Sequence, residues 1–479
     1  MGLAIDIFIG LLIGISALVA VFLLSLYIRG AFRWRSLMHI DNAIAPTDPR
    51  FPLVIKSITG SLSTTGTITS FWGEPPDVQQ ARIEAIESAE RSIHFETFMM
   101  TPGQRAQDFA NAIARKASEG VQVQLLVDSF GSRTLPDKYW TRLRSAGVQV
   151  VLFNPFDWRA PANFAGRTHR KLLIIDGKRA MIGGAGISDL WDGSEKSDDT
   201  RPWFDMELAL TGEGVAVLAA IFQTHWQGHR LQAHRNESGV TAIDMDAVYP
   251  STKEKDSEEQ NSKQQNSLSQ DSKKESREEK SREEESREEE SAESAAHILI
   301  TASTKPSYRD SAIEILKQTL IASARHRVWL SSPYFLPNLS TRKLLIAAKQ
   351  AGVDVRVLTT SVASDKKPVY YASYEVYGSL LEADIQIFEY QPSMLHAKML
   401  IVDDSWANTG SANFDYRSFL HNDELDIVTD SPILFSNIEQ MFEKGFANSD
   451  QIGLKQWQRR SWLKHRILGN AVRLMQWQL

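Results

Sequence analysis

The N-terminal part of the chain is uniformly hydrophobic. Residues 7–28 read IFIGLLIGISALVAVFLLSLYI and include no charged residue. About twenty apolar residues in a helix can cross the roughly 30 Å hydrocarbon core of a membrane. The pattern therefore predicts a transmembrane helix over 5–28. A cleaved signal peptide is the alternative, but its apolar region is usually about 7 to 15 residues long and follows a basic start, whereas Asp6 precedes this run.

Three arginines follow the hydrophobic run directly, at Arg29, Arg33 and Arg35. Basic residues beside a membrane span favour the cytoplasmic side. We therefore predict a single-pass protein of the cell membrane with the rest of the chain in the cytoplasm.

Beyond the span, helical spacing of hydrophobic residues alternates with the pattern of buried strands. The first half reads helix, strand, helix, strand in the segments DVQQARIEAIESAERS, IHFETFMM, RAQDFANAIARKASEG and VQVQLLVDSF. The second half repeats this order in RDSAIEILKQTLIASARHR, VWLSSPYFLP, LSTRKLLIAAKQAG and VDVRVLTTSV. The repeat predicts two α/β halves, each built on a mostly parallel sheet.

The segment between the two halves has a different composition. Residues 251–294 are almost wholly Ser, Glu, Lys, Arg, Gln and Asn. Such a segment cannot bury a core, so we interpret it as a solvated linker, with a partner-binding acidic arm as the alternative. The chain thus divides into a transmembrane helix at 5–28, a juxtamembrane segment at 29–74, a first half at 75–250, a charged linker at 251–296, a second half at 297–450 and a basic amphipathic segment at 451–479.

Composition narrows the functional classes. The chain has 479 residues, enough for two domain cores, and 42% of them are hydrophobic. Its formal net charge of −6 gives no general argument for nucleic-acid binding. The absence of cysteine excludes disulfides, thiolate metal sites and cysteine nucleophiles.

The C-terminal segment combines tryptophans with basic residues. This composition is typical of a helix that lies in an anionic membrane interface. A helix packed on the domain with a basic outer face is the equally weighted alternative. The residues concerned are Trp457, Trp462, Trp477, Arg459, Arg460, Lys464, Arg466 and Arg473.

One motif occurs twice, as RTHRKLLIIDGKRAMIGG and as MLHAKMLIVDDSWANTGS. Each copy has a histidine, a lysine two residues later, an aspartate five residues after that and a pair of small residues seven further on. On a strand the histidine and the lysine point to the same face. Lysine suits a phosphate oxygen, and histidine can attack phosphorus or transfer a proton near neutral pH. Two such pairs meeting at an interface between the halves would surround one phosphate.

The doubled motif resembles the signature of the phospholipase D superfamily, and both copies match it at every position. SSPYFLPN, LHAKMLIVDD and TGSANFDYRSF more narrowly resemble the cardiolipin synthase branch. The resemblance implies an α/β fold of two pseudo-symmetric phospholipase D-like halves, packed with the active site at their interface, behind an N-terminal transmembrane helix. It also implies phosphatidyl transfer through a phosphohistidine, with a phospholipid such as phosphatidylglycerol as substrate and with no cofactor and no metal.

The resemblance implies a catalytic set of six residues, with His169 as nucleophile and His396 as acid and base; pseudo-symmetry leaves the reverse assignment open. The lysines would neutralise phosphate oxygens. The aspartates are better suited to fixing the geometry of the site than to contacting phosphate. The six residues are His169, Lys171, Asp176, His396, Lys398 and Asp403.

Histidines in such pairs need carboxylates to set their tautomer and orientation. DMELAL and ELDIVT follow their motifs at similar distances, so we predict Asp205 and Glu424 as the supporting carboxylates. Glu207 and Asp426, two positions later, are the second choice, and ordinary carboxylates on a solvated strand are the simplest alternative.

The two copies differ at one position of the motif. Asn413 of the second copy can donate to phosphate, whereas the first copy has Gly186 there. This difference removes one side-chain donor from an otherwise symmetric site. Ser411 is a further supporting residue in the second half.

Other activities of the superfamily remain alternatives. A hydrolytic phospholipase differs from a synthase only in the acceptor, which is water in place of a lipid alcohol. A nuclease and a non-catalytic membrane scaffold are also possible, but no basic stripe with interleaved aromatic residues surrounds the motifs, so no nucleic-acid partner is expected.

Overall fold

The computed structural model describes residues 2–28, 43–158, 166–193, 201–238, 295–304 and 311–474. Nearly all of the predicted charged linker lies outside these described ranges, as do residues 29–42 and Trp477. The fold is mixed α/β, as the sequence predicted.

Helices alternate with strands along most of the chain. The helices are α1 Gly2–Ile28, α2 Phe51–Thr59, α3 Pro75–Glu87, α4 Gln104–Ser118, α5 Asp137–Ser145, α6 Glu213–Ser238, α7 Ala312–Ser323, α8 Leu339–Gln350, α9 Lys367–Glu382, α10 Tyr416–Leu420, α11 Pro432–Ala447, α12 Leu454–Gln458 and α13 Asn470–Leu474, with a 3₁₀ helix at Asp189–Asp192 and a π-helix at Trp462–Gly469.

Fifteen strands form one continuous sheet. They are β1 Leu62–Trp72, β2 Ser92–Thr97, β3 Gln122–Asp128, β4 Gln149–Phe153, β5 Leu172–Ile175, β6 Arg179–Gly183, β7 Glu207–Thr211, β8 Ala296–Ala302, β9 Arg327–Ser332, β10 Asp354–Thr360, β11 Gln386–Tyr390, β12 Met399–Val402, β13 Trp406–Gly410, β14 Leu425–Thr429 and β15 Ser449–Gln451. Their spatial order is β15-β11-β10-β9-β12-β13-β14-β8-β1-β7-β6-β5-β2-β3-β4.

The prediction of mostly parallel sheets is wrong. Strands β2, β3 and β4 pair in parallel, as do β9, β10 and β11. All other strand pairs within the described ranges are antiparallel. Part of the reason is local: each motif forms a tight hairpin, β5-β6 or β12-β13, and a hairpin can only join antiparallel strands.

The two halves meet at strands β1 and β8, which lie at the centre of the sheet. On either side of this pair the order is the same: β7, β6, β5 and β2 in the first half, and β14, β13, β12 and β9 in the second. The hairpins that carry the two motifs are therefore related by a pseudo-twofold axis between β1 and β8.

Strand β1 lies in the segment that the sequence assigned to the juxtamembrane region at 29–74. It pairs with β7 on one side and with β8 on the other, both antiparallel. Its sequence, LSTTGTITSFW, has few apolar residues, so the hydrophobic pattern did not mark it as a strand. The ordered fold thus begins well before residue 75.

One hydrophobic core covers both halves on the same face of the sheet. Helix α6 contributes Leu218 and Phe222 to it, and helix α11 contributes Leu434 and Ile438. The opposite face has a separate core in each half, formed by α3 to α5 and by α7 to α9. The shared core fixes the halves relative to each other, because apolar side chains from both strand sets pack against the same helices.

The N-terminal helix contains one stretch, Asp6–Leu24, that is long and apolar enough to cross a membrane. None of this stretch is buried against the rest of the protein. The C-terminal segment has a mixed character: the Trp457 indole donates to the Tyr374 carbonyl, whereas Trp462 and Leu463 are about two-thirds exposed.

Candidate active site

Each motif histidine lies just before the first strand of its hairpin, where the chain contacts the other half. The His169 amide donates to the Asp423 carbonyl at 2.9 Å, and the His396 amide donates to the Phe204 carbonyl at 2.7 Å. Short β-bridges join Thr168 to Asp423 and Phe204 to Leu395. The segment before β14 therefore holds the first histidine, and the segment before β7 holds the second.

Because each histidine contacts the other half, it is paired with a carboxylate from that half. His169 Nδ1 lies 3.1 Å from Glu424 Oε2 and 2.9 Å from the Ser411 carbonyl oxygen. His396 Nδ1 lies 2.8 Å from Asp205 Oδ2. Asp205 and Glu424 are both fully buried. The pairing is reciprocal, so neither half has a complete histidine–carboxylate pair without the other.

The carboxylates are held by different donors. Asp205 accepts from the Trp191 indole at 2.8 Å and from the Met206 amide at 2.9 Å. Glu424 accepts from the Ser411 hydroxyl at 2.5 Å and from the Asn422 side chain at 3.2 Å. These bonds fix the orientation of each carboxylate, and a further lone pair accepts from its histidine.

The electrostatics favour a neutral histidine beside an ionised carboxylate. Burial raises the pKa of the Asp205 carboxyl, but the positive charges of His396 and Lys398 and the hydrogen bonds from His396 and Trp191 outweigh it and hold the pKa at about 2. The pKa of Glu424 is lowered against its burial by His169 in the same way. Burial lowers the pKa of His169 to about 4 and that of His396 to about 3. Nδ1–H then donates to the carboxylate, and the Nε2 lone pair is the reactive position.

The two motif lysines are buried beside the histidines. Lys171 Nζ donates to the His169 carbonyl at 2.6 Å, and Lys398 Nζ donates to the His396 carbonyl at 2.5 Å. Lys398 Nζ also lies 3.1 Å from His396 Nε2. Burial lowers the pKa of Lys171 to about 7, with the charge of Lys398 adding to the shift, and burial lowers the pKa of Lys398 to about 8. Two buried lysines in one site would bind an anion strongly, because burial and mutual repulsion disfavour their ammonium forms and an anion would offset both effects.

The motif aspartates lie at the far end of the strands and do not join the histidines. Asp176 accepts from the backbone amides of Arg91 at 2.7 Å and Ser92 at 2.8 Å. Asp403 binds the equivalent turn, with the His326 amide at 2.8 Å. Both aspartates have positive φ, near 50°. Both aspartates hold the turn that leads into β2 or β9, which is the geometric role expected of them from the sequence.

The remaining supporting residues are Ser411 and Asn413, which follow strand β13. Ser411 is engaged with Glu424, as described, and its hydroxyl also accepts from the Leu425 amide at 2.9 Å. Asn413 is buried, and its Oδ1 has no hydrogen-bond partner among the described residues. At Gly186 in the first copy, a Cβ would come within 2.7 Å of the Met99 carbonyl, so no side chain fits there.

The second-choice carboxylates do not contact the histidines. Glu207 forms a buried ion pair with Arg82, whose guanidinium also donates to the Ala185 carbonyl at 2.9 Å. In the second half, Lys317 Nζ lies 3.1 Å from Asp426 Oδ2 and donates to the Ala412 carbonyl at 3.0 Å. These pairs hold the small-residue segment of each motif in place.

Arg82 and Lys317 were not predicted from the sequence. They occupy equivalent positions ten residues before β2 and β9, on helices α3 and α7. The sequence did contain a signal for them, because a basic residue occurs at the same distance before the corresponding strand in both halves. Trp191 was also missed, because it stands in the poorly patterned segment between β6 and β7 and reaches its carboxylate only through the fold.

The surroundings of the two histidines differ. Trp191 and Trp203 pack against His396, with ring centroids 5.2 and 5.6 Å away. Phe98 packs edge-on against His169 at 5.4 Å. The second histidine therefore has the more aromatic and more enclosed site.

The chain has clear relatives. The family described as cardiolipin synthase, PLD-like domain, matches residues 83–190 and 318–445, which include both motifs. A cardiolipin synthase of Geobacillus kaustophilus is 30% identical over 395 residues, covering 81% of this chain and 68% of that protein. Cardiolipin synthase 1 of Bacillus cereus is 29% identical over 433 residues, covering 88% of this chain and 74% of that protein.

The fold has a solved counterpart as well. The crystal structure of a phosphatidylserine synthase of Haemophilus influenzae superposes with a TM-score of 0.61 at 12% identity, covering 89% of this chain and all of that one. The relatives and the family match identify the chain as a phosphatidyltransferase of the phospholipase D superfamily. Within that superfamily, the chain belongs to the cardiolipin synthase family, as the sequence motifs predicted.

Proposed function

We propose that this protein is a membrane-anchored phosphatidyltransferase that makes cardiolipin and glycerol from two molecules of phosphatidylglycerol. The observation that carries the proposal is the reciprocal arrangement of the site, His169 with Glu424 and His396 with Asp205. Two histidines with lysines beside them suit a transfer in two displacements on one phosphorus. The names of the curated relatives support the choice of lipid.

In the first step, His169 Nε2 attacks the phosphorus of one phosphatidylglycerol. The bond from phosphorus to the glycerol oxygen breaks, and His396 Nε2 gives its proton to that oxygen. The phosphodiester brings a negative charge beside His396, which raises the pKa of this histidine from its low value in the free protein and allows it to carry the proton. Free glycerol leaves, and the phosphatidyl group stays on His169.

In the second step, the neutral His396 takes a proton from the hydroxyl of a second phosphatidylglycerol. The oxygen attacks phosphorus, the phosphorus–nitrogen bond breaks, and cardiolipin forms. One phosphodiester is exchanged for another of similar energy, so the transfer needs no ATP and no nucleotide donor. Lys171 and Lys398 stabilise the charge that develops on the phosphate oxygens.

The assignment of the nucleophile rests on contacts as well as on the resemblance. Among the described residues, none lies within hydrogen-bond distance of His169 Nε2, while Lys398 Nζ lies 3.1 Å from His396 Nε2. Nδ1 of His169 has two acceptors, which favours a basic lone pair on the other nitrogen. These contacts support His169 as the nucleophile.

The hydrophobic helix supports the choice of acceptor. If Asp6–Leu24 crosses the membrane and the rest of the chain lies in the cytoplasm, the phosphohistidine forms where lipid hydroxyls are concentrated. The acceptor is then a second lipid in place of water. Exposed Trp462 and Leu463 would insert at the same surface.

The test is a reaction with one lipid. Purified full-length protein is incubated with phosphatidylglycerol vesicles, and lipids and released alcohol are measured by mass spectrometry. We expect cardiolipin and glycerol in equal amounts, and no product from H169A or K398A. H297Q is the matched control, because His297 is an exposed histidine paired with Asp430 and distant in sequence from both motifs. Phosphatidic acid as the main product would instead identify a hydrolase.

A further inference from the structure

A second group of histidine and carboxylate side chains lies behind His169, at the junction of the two halves. His225 and His229 stand one turn apart on α6 and are 4% and 8% exposed. Asp423 comes from the second half and is 3% exposed. One ligand atom from each of these residues lies within 4.8 Å of the other two. No step of the proposed transfer uses these side chains.

Both ring nitrogens of His225 contact a buried carboxylate. Its Nε2 lies 2.9 Å from Asp423 Oδ2, and its Nδ1 lies 2.7 Å from Glu96 Oε1. Glu96 is fully buried and also accepts from the Thr168 hydroxyl at 2.5 Å. A carboxylate that binds the Nδ1–H of a histidine directs its Nε2 lone pair towards a metal and orients the ring.

We propose that His225, His229 and Asp423 bind one divalent transition-metal ion of the zinc class, which joins the two halves. Two imidazoles and one carboxylate match the ligands that zinc prefers, whereas magnesium and calcium prefer oxygen alone. Ligands of tetrahedral zinc stand about 2.0 Å from the ion and therefore about 3.3 Å apart. His225 and Asp423 need to separate by a few tenths of an ångström, and His229 needs to turn inward. Water completes the fourth position.

The role of this ion is structural. Asp423 is the residue before Glu424, and its carbonyl oxygen accepts from the His169 amide at 2.9 Å. A metal held between α6 and Asp423 therefore fixes the segment that supports the nucleophile. The ion lies outside the phosphohistidine chemistry, so the proposal stands independently of the substrate assigned above.

The test is a metal-binding measurement on the full-length protein in detergent, purified with a tag that contains no histidine. The protein is stripped with a chelator, incubated with Zn²⁺ or Co²⁺, and desalted. We expect one ion per chain, the visible absorption of tetrahedral Co²⁺, and a melting temperature that rises by a few degrees with Zn²⁺. X-ray absorption of the zinc form should show two imidazole ligands. This measurement needs no variant, so a folding defect cannot obscure it.

Variants then locate the ion. D423N and H229Q should lose stoichiometric binding, and E96Q should weaken it about 10–100-fold. H94Q is the matched control, because His94 contacts α6 by stacking on Phe222 but lies outside the group. A protein that retains no metal after incubation, or one whose D423N and H229Q variants bind it as the wild type does, would overturn the proposal.

Discussion

The two motif copies share their backbone geometry and differ in how their histidine pairs are supported. In the second copy, the Ser411 hydroxyl donates to Glu424. The first copy has Gly184 at the equivalent position, where a Cβ would lie 2.1 Å from Asp205 Oδ1. Asp205 occupies the space that a serine would need, and the Trp191 indole replaces the lost donor. The duplicated fold thus conserves the position of each carboxylate while the donors that hold it differ.

The difference also separates the chemical roles of the copies. His169 Nδ1 has two acceptors and one aromatic neighbour, whereas His396 is enclosed by two tryptophans and lies within reach of Lys398. A nucleophile needs an unobstructed lone pair. An acid and base needs a pKa that responds to the arriving charge, and burial among aromatic side chains makes that response large.

The largest expected effect comes from removing either histidine. H169A should lower turnover by about 10⁴-fold and abolish the covalent intermediate. H396A should lower turnover similarly but allow a phosphohistidine to accumulate from a substrate with a good leaving group. Acid-quenched protein digested for mass spectrometry locates the phosphate. A phosphohistidine at position 396 in the wild type would reverse the two roles.

The second-largest effect is expected from neutralising Glu424 and Asp205, the carboxylates that support the two histidines. E424Q and D205N should each lower turnover by about 10³-fold, because the amide can bind Nδ1 in the wrong tautomer. If the roles differ as proposed, E424Q should slow formation of the phosphohistidine, and D205N should slow both the proton transfer to the leaving glycerol oxygen and the proton transfer from the acceptor hydroxyl. Rapid-quench kinetics measures the formation of the phosphohistidine separately from overall turnover. Identical effects of E424Q and D205N on the burst phase would argue against distinct roles for the two histidines.

The pH dependence of kcat/KM tests whether the two motif lysines act as cations. Burial lowers the pKa of Lys171 to about 7 and that of Lys398 to about 8, so both lose charge as the pH rises through those values. We expect kcat/KM to fall about tenfold per pH unit between about pH 7 and pH 8, where Lys171 loses its proton, and about a hundredfold per unit above about pH 8, where Lys398 loses its proton as well. K171R should keep its charge and lose part of this decline, at reduced activity. An alkaline limb unchanged in K171R would assign the titration to another group.

A smaller effect is expected from removing the side chains that donate hydrogen bonds to the two carboxylates. W191F removes the indole donor to Asp205 while keeping an aromatic ring beside His396, and S411A removes the hydroxyl donor to Glu424. Each should lower turnover about tenfold, the cost of one hydrogen bond to a charged group. The double variant should lose the product of the two factors if the supports act independently. A combined loss no larger than either single loss would mean that the pairs act as one unit.

The smallest effect is expected from the charged segment between the halves. Replacing residues 252–293 by a short flexible linker should change activity less than about twofold, because low-complexity charged sequence buries little surface. Activity on phosphatidylglycerol and the melting temperature are compared with those of the full chain. A chain that fails to fold would show that the segment has a structural role.

The sequence predicted the duplicated α/β fold and the identity of the motif histidines because both leave periodic, local patterns. Strand pairing was wrong where hairpins replace helical crossovers, since hydrophobic runs do not reveal strand direction. Arg82, Lys317 and Trp191 were missed for another reason. Each binds a group from elsewhere in the chain, Glu207, Asp426 or Asp205, and only the tertiary fold brings these partners together.

Strand β1 has a consequence for the order in which the protein can assemble. It is made before either half, yet it lies at the centre of the sheet, with Thr67 opposite Thr211 and Leu62 opposite Ile300. During synthesis, β7 of the first half can pair with one edge of β1. The backbone groups of the other edge stay unpaired until β8 has been made. This unpaired edge is the template on which the second half docks.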